Sequence, residues 1–177
     1  YYRDARILPI YEGTTAIQAN DLVSRKTQRD GGATAHAAIA AMRETLRAVE
    51  AEAARASAGE RDGLRLLRDN LDSAIQAYEA GVAFILEQSP TNIRAVYASS
   101  VPYLMLAGVV HGGWQMARAV LACRRHLAAG STDPFHAAKL ATGLFYAAHI
   151  LPRALALSAT VRAGVVADAC GAGLNIA

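Results

Sequence analysis

The residues best placed for chemistry lie close to the start of the chain, at Ile10-Tyr11-Glu12-Gly13-Thr14-Thr15-Ala16-Ile17-Gln18. One carboxylate, Glu12, stands between apolar neighbours on a short turn, and a helix starts immediately after it. Ile7, Leu8, Ile10 and Tyr11 are the side chains that could surround it. A carboxylate in such surroundings has a raised pKa, because burial disfavours its charged form. The shift moves it towards the range of an effective general base. Gly13 beside it lets a ligand approach the backbone closely. The same residues also have a purely structural reading, in which Thr15 caps the helix and Gln18 closes a capping box behind it. Local sequence leaves both readings open.

No other group competes with Glu12 for chemistry. The five histidines, His36, His111, His126, His136 and His149, are not paired with carboxylates at metal-ligand spacing. His111 and His149 fall in apolar helical stretches and read as core or interface residues. Gly171-Ala172-Gly173 has no strand before it and no helix after it, so it is no dinucleotide loop. Ser99-Ser100 lacks the context of a nucleophile elbow. Cys123 reads as packing within an apolar helix.

The elements that must position Glu12 follow from periodicity. Pro9 holds Leu8 extended, so residues 1–13 read as a loop. The short helix from Thr15 has Ile17, Leu22 and Val23 as its apolar face, and Asp30-Gly31-Gly32 after it reads as a linker. A second helix is predicted over 34–58, where Ile39, Met42, Leu46 and Val49 form one stripe and Gly59 supplies a stop. The third, over 61–88, has the clearest seam: Leu64, Leu67, Leu71, Ile75, Tyr78, Val82 and Ile85. The fourth, over 92–128, is apolar on most faces and therefore central, with a kink expected at Pro102 and a close approach at Gly112-Gly113. After the Gly130–Pro134 turn, a fifth helix runs to about Val166 with a bend at Pro152. No convincing strand appears. The expected fold is all-α: an antiparallel four-helix bundle preceded by a loop and one short helix.

Composition narrows the function classes. The apolar fraction of 53% leans on alanine, so it signals helix propensity as much as core volume. The net charge of +3 is scattered, and Arg124-Arg125-His126 has no aromatic interleaving, so no nucleic-acid partner is expected. Cys123 and Cys170 form no disulfide framework and fit a reducing cytoplasm. Ala95–Ala117 is uncharged and long enough to span a bilayer, but its Ser, Pro, His, Gly and Gln residues favour a buried bundle helix over a membrane span. The opening Tyr1-Tyr2-Arg3, without methionine or a targeting pattern, reads as a cut inside a longer polypeptide.

Tyr2-Arg3-Asp4-Ala5-Arg6-Ile7, followed by Ile10-Tyr11-Glu12-Gly13-Thr14 and Ile17-Gln18, resembles the C-terminal signature of the acyl-CoA dehydrogenase family. The resemblance implies that residues 1–28 are the end of the catalytic helical domain. Residues 29–34 are then the linker, and 35–177 resemble the extra C-terminal helical domain of the larger, bacterial-type enzymes. In that later part Lys139-Leu140-Ala141-Thr142, Phe145-Tyr146 and Leu151-Pro152 are the most similar residues. By this resemblance Glu12 is the base that takes the α-proton of an acyl-CoA thioester, and its N–H joins a flavin ribityl hydroxyl in polarising the carbonyl. Gly13 lines the acyl-CoA site; Thr14, Thr15 and Ala16 touch FAD, with Gln18 beside them; Arg3, Asp4 and Arg6 hold the loop. The implied reaction is the α,β-dehydrogenation of fatty acid β-oxidation. The β-hydride goes to flavin N5, the product is a trans-2-enoyl-CoA, and electrons pass on to an electron-transfer flavoprotein. A homo-dimer or tetramer is implied, and FAD is expected on the parent protein rather than on this chain alone. Without the resemblance, the same residues fit a non-enzymatic helical oligomerisation or docking module.

Overall fold

Apolar residues at steps of three and four wind into helices that close on one another. The computed structural model is all-α over the residues it describes, 2–7 and 14–166. A single turn, α1 (Tyr2–Ala5), comes first. After it α2 (Thr15–Asp21) runs on without a break as a π-helix over Leu22–Gln28. Then follow α3 (Ala33–Arg55), α4 (Ala58–Gln88), α5 (Ile93–Ala98), α6 (Ser100–Ala128), α7 (Pro134–His149) and α8 (Arg153–Arg162).

Helix directions can be read from cross-contacts. Arg43 on α3 meets Glu79 on α4 at 2.5 Å, while Glu50 meets Arg68 at 3.8 Å, so rising numbers face falling ones. The same holds between α4 and α6, where Glu60 binds Arg124 and Gly81 faces Leu106. On the far side, Val120 of α6 lies against Gly143 of α7, and Val109 O accepts from the Tyr146 hydroxyl at 3.1 Å. Each long helix thus runs opposite to the next. The predicted seam of α4 is buried at all seven positions, and on α3 Ile39, Met42 and Val49 are buried with Leu46 partly so. The α6 helix, in the uncharged stretch up to Ala117, buries Tyr103, Leu106, Val109, Val110 and Ala117 inside the bundle. Among the described residues no single helix is long and apolar enough to cross a membrane. The bent pair Pro134–His149 and Arg153–Val166 passes that test only when taken together across a 41° bend.

Four boundaries differ from the sequence expectation, each for a local reason. The second helix stops at Arg55 rather than 58, because Ser57 turns extended to cap α4. The Glu60 carboxylate reaches back to the Ser57 N–H (3.3 Å) and hydroxyl (2.6 Å), half of a capping box. Gly59 therefore lies in the first turn of α4 and is not a stop. The predicted fourth helix breaks at Ser99 instead of kinking at Pro102, which places Pro102 in the first turn of α6, where its missing N–H costs no ladder bond. Buried Ser99 joins the break to α8 by donating towards Ala95 O (2.9 Å) and Val161 O (2.7 Å). The fifth helix divides at Ile150–Pro152, for the same reason at Pro152.

Arg124 ties three helices together, reaching Glu52 at 2.7 Å and Glu60 at 2.8 Å with little of its side chain exposed. Burial works against its charge, but its bonds to the two carboxylates outweigh this and raise its pKa. Hydrogen bonding from Ser57, and then Arg124, holds Glu60 at about 2, below its ordinary 4.5. A carboxylate depressed in the folded state stabilises above its unfolded pKa and loses that contribution as pH falls through its folded one. The melting-temperature gap between wild type and Glu60→Gln should therefore be largest above pH 4.5 and close as pH falls towards 2. A gap independent of pH would rule this contribution out. Ser57→Ala should cost about 1 kcal/mol in a denaturant melt.

Candidate active site

The loop that carries the expected base is not among the described residues, and Glu12 and Gly13 lie outside them. Its flanks are described. Arg3, Asp4 and Arg6 are exposed around α1, with the Arg6 N–H bonded to Arg3 O at 3.2 Å. On the other side Thr14, and not Thr15, occupies the cap of α2, and its carbonyl accepts from Gln18 N–H at 2.8 Å. No side chain caps this end, so the expected Thr15–Gln18 capping box is absent. Thr14 is half-buried, while Thr15, Ala16 and Gln18 face outward.

The face by which α2 docks also differs from the expected one. Ile17 is 66% exposed, and the buried residues are Ala19, Val23 and Thr27, four apart. In an α-helix a step of four overshoots one turn by about 40°, so such residues drift around the axis. The wider π winding from Leu22 turns the drift back and keeps Thr27 in line with Ala19 and Val23. Thr27 itself holds the wide turn, since its hydroxyl donates to Leu22 O at 3.0 Å. With that hydrogen used, Thr27 Oγ1 can only accept from the Tyr103 hydroxyl, 3.1 Å away. Beyond Gln28, the turn is pinned rather than loose. Gly31 and Gly32 take φ of 62° and 81°, and the Asp30 carboxylate accepts the N–H groups of Gly32 and Thr34, both at 2.9 Å. Bonds from Thr34, then Gly32, depress the Asp30 pKa.

Behind Thr27 a line of rings crosses the bundle. Tyr103, fully buried, stacks on Tyr78 with centroids 6.0 Å apart, and Tyr78 meets His111 edge-on at 5.3 Å. Burial pushes both tyrosine hydroxyls above their ordinary pKa, so they remain protonated. His111 Nδ1 lies 2.8 Å from Ala107 O; a carbonyl only accepts, so this nitrogen carries a proton. Trp114 follows and donates to Thr45 Oγ1 at 2.8 Å. His111 is thus a satisfied interior residue, as its apolar helix suggested, whereas His149 is exposed beside Phe145. Cys123 is buried packing. No group of three or more His, Cys, Asp and Glu among the described residues could hold a metal ion. Sequence reading missed Thr27 and Tyr103; the signal for Thr27 was its place four residues after Val23.

An all-α domain with a short helical segment docked on one flank is the class that the described residues define. Residues 38–168 match the family described as acetyl-CoA dehydrogenase C-terminal like, and the chain belongs to it. It is similar to the 3-methylmercaptopropionyl-CoA dehydrogenase of Ruegeria pomeroyi, 42% identical over 151 residues, covering 85% of this chain and 24% of that protein. It is also similar to the broad-specificity linear acyl-CoA dehydrogenase FadE5 of Mycobacterium tuberculosis, 32% identical over 158 residues, covering 86% of this chain and 25% of that protein. The chain therefore spans about a quarter of the length of these curated relatives. No solved structure matches it.

Docking of α2 through Ala19, Val23 and Thr27 makes a direct prediction. Val23→Ala should lower stability by about 2 kcal/mol, whereas Ile17→Ala should stay within about 0.5 kcal/mol of wild type. Urea melts followed by helicity measure both, and equal losses would mean that this face is not the docked one.

Proposed function

We propose that the chain is the C-terminal part of an FAD-dependent acyl-CoA dehydrogenase, in which Glu12 is the base for α,β-dehydrogenation of an acyl-CoA thioester to a trans-2-enoyl-CoA. The observation that carries the reading is the Tyr11-Glu12-Gly13-Thr14 run directly ahead of a helix clamped to a bundle of this family. One relative is named as a dehydrogenase of 3-methylmercaptopropionyl-CoA and the other as a linear acyl-CoA dehydrogenase, which supports the substrate class.

The α-proton of a thioester is weakly acidic, so its removal needs a placed base and stabilisation of the developing enolate. Glu12 takes that proton, its backbone N–H polarises the thioester carbonyl, and Gly13 leaves room for the acyl-CoA. FAD, when bound, supplies the acceptor for the β-hydride. Thr14, Thr15 and Ala16 would meet it, and they suit that role: they are small, two carry hydroxyls, and Thr15 and Ala16 stand outward at the head of α2. An electron-transfer flavoprotein as reoxidant and a homo-dimer or tetramer as the working form complete the reading.

In the full-length parent, Glu12→Gln should keep its flavin and lose turnover by ~10²–10⁴; unchanged turnover would remove Glu12 from the mechanism. The isolated chain should purify colourless, and stoichiometric flavin on it would contradict the assignment of most flavin contacts to the rest of the parent. A docking role has one observation in its favour: Phe135, Phe145 and Leu155 stand largely exposed on α7 and α8. If that role is the whole function, joint Phe145→Asp and Leu155→Asp substitutions reduce the assembly size in sedimentation, and Glu12→Gln changes nothing.

A further inference from the structure

Three arginines of α4, Arg61, Arg65 and Arg68, converge on a cleft of about 310 Å³ beside α3, whose other lining residues are Glu50, Ala53 and Ala54. Spaced by four and three, they fall within about 60° of one another around the helix axis and span about 10 Å along it. Only one of them is answered by carboxylates. Arg68 is held by Asp69, at 2.7 Å from Nε and 2.5 Å from a terminal nitrogen, and stands 3.8 Å from Glu50. Arg61 donates to Ala56 O at 3.0 Å, but its Nε meets no acceptor, and it pairs with no carboxylate among the described residues. Arg65 is exposed and has no hydrogen-bond or ion-pair partner among those residues.

We propose that this cleft is a binding site for a phosphate monoester, carried by a soluble small molecule or by a lipid headgroup. Two unanswered guanidinium groups call for two negative charges in one compact group. A carboxylate supplies one. A phosphate monoester carries nearly two at neutral pH and offers three terminal oxygens to the planar N–H forks. Arginine matches such oxygens in pairs and keeps its charge at any ordinary pH. On the α3 side, Ala53 and Ala54 put nothing beyond a Cβ into the cleft, so the space between the arginines is left to a ligand. The one carboxylate of the lining, Glu50, pairs with Arg68 and leaves the other two arginines free. None of these residues belongs to the Glu12 loop, and the site stands whether or not the dehydrogenase reading does.

The test is a calorimetric titration of the whole chain with phenyl phosphate at fixed ionic strength, which should saturate at one site. Arg65→Ala removes no contact within the protein and should weaken binding about 10-fold or more. Arg94→Ala, an equal loss of charge on α5 beyond the other end of α4, should stay within about twofold of wild type. Ala54→Glu, on an exposed position of α3, should abolish binding by setting a carboxylate among the arginines. Benzoate, with a single charge, should bind about 10-fold more weakly than the phosphate ester. Flotation with phosphatidylcholine vesicles, with and without phosphatidic acid, separates the two sources. Capture that needs phosphatidic acid and Arg65 assigns the site to a headgroup, and saturation by the soluble ester without capture assigns it to a small molecule. The proposal is overturned if the wild type neither saturates nor is captured. It is also overturned if Arg94→Ala weakens binding as much as Arg65→Ala, if Ala54→Glu still binds, or if benzoate binds as tightly as the ester.

Discussion

Where α4 meets α6, Gly81 leaves room for Leu106, whose Cδ2 stands 3.0 Å from where a Cβ would be, and for the Tyr103 ring beside it. Tyr103 and Leu106 are both fully buried there, so the interior of the bundle closes on that approach. With α4 and α6 in contact, Tyr103 stacks on Tyr78, α3 closes over one flank, and α7 with α8 cover the other. A Cβ at position 81 would require the Leu106 side chain to give by a few tenths of an ångström beside the Tyr103 ring, and close-packed interiors pass such shifts to their neighbours.

The charged contacts play a smaller part. Arg43–Glu79, Arg47–Glu44 and Arg25–Asp21 are exposed, and ion pairs of that kind add little to stability in water. They are more useful as markers of register between helices whose apolar faces would tolerate a slip. Arg124 is the exception, since it is largely covered and answered by two carboxylates from different helices. Replacing Arg124 would leave Glu52 and Glu60 facing one another without the cation between them.

The same bundle gives α2 a place to dock. Its apolar anchors, Ala19 and Val23, are small for a segment meant to stay in register, so a buried polar pair does what bulk does not. Hydrogen bonds are directional where apolar contacts are not. Thr27 and Tyr103 accordingly define a height and a rotation, and the ring line behind them leaves Tyr103 little freedom to follow a shifted partner.

Much of this was legible in the amino-acid order. The seam from Leu64 to Ile85 needed only period 3.6, and the resemblance around Glu12 pointed to the dehydrogenase family before any fold was in hand. Pro152 marked its bend correctly, because a missing N–H is a local fact, whereas the kink expected at Pro102 is instead a break at Ser99. What each disturbance became was not local: a helix restarts at Ser100 because Ser99 finds Val161 O across the bundle. Ile17 looked like core and is exposed, while Thr27, to which the periodicity assigned no role, is buried, because the π winding redirects the face on which periodicity was counted. Sequence by itself determined the helices and the family, since both rest on residue types at short spacing. Only the tertiary structure decided which flank of α2 meets the bundle and which distant hydroxyl holds it there, since a partner 76 residues away leaves no mark in local order.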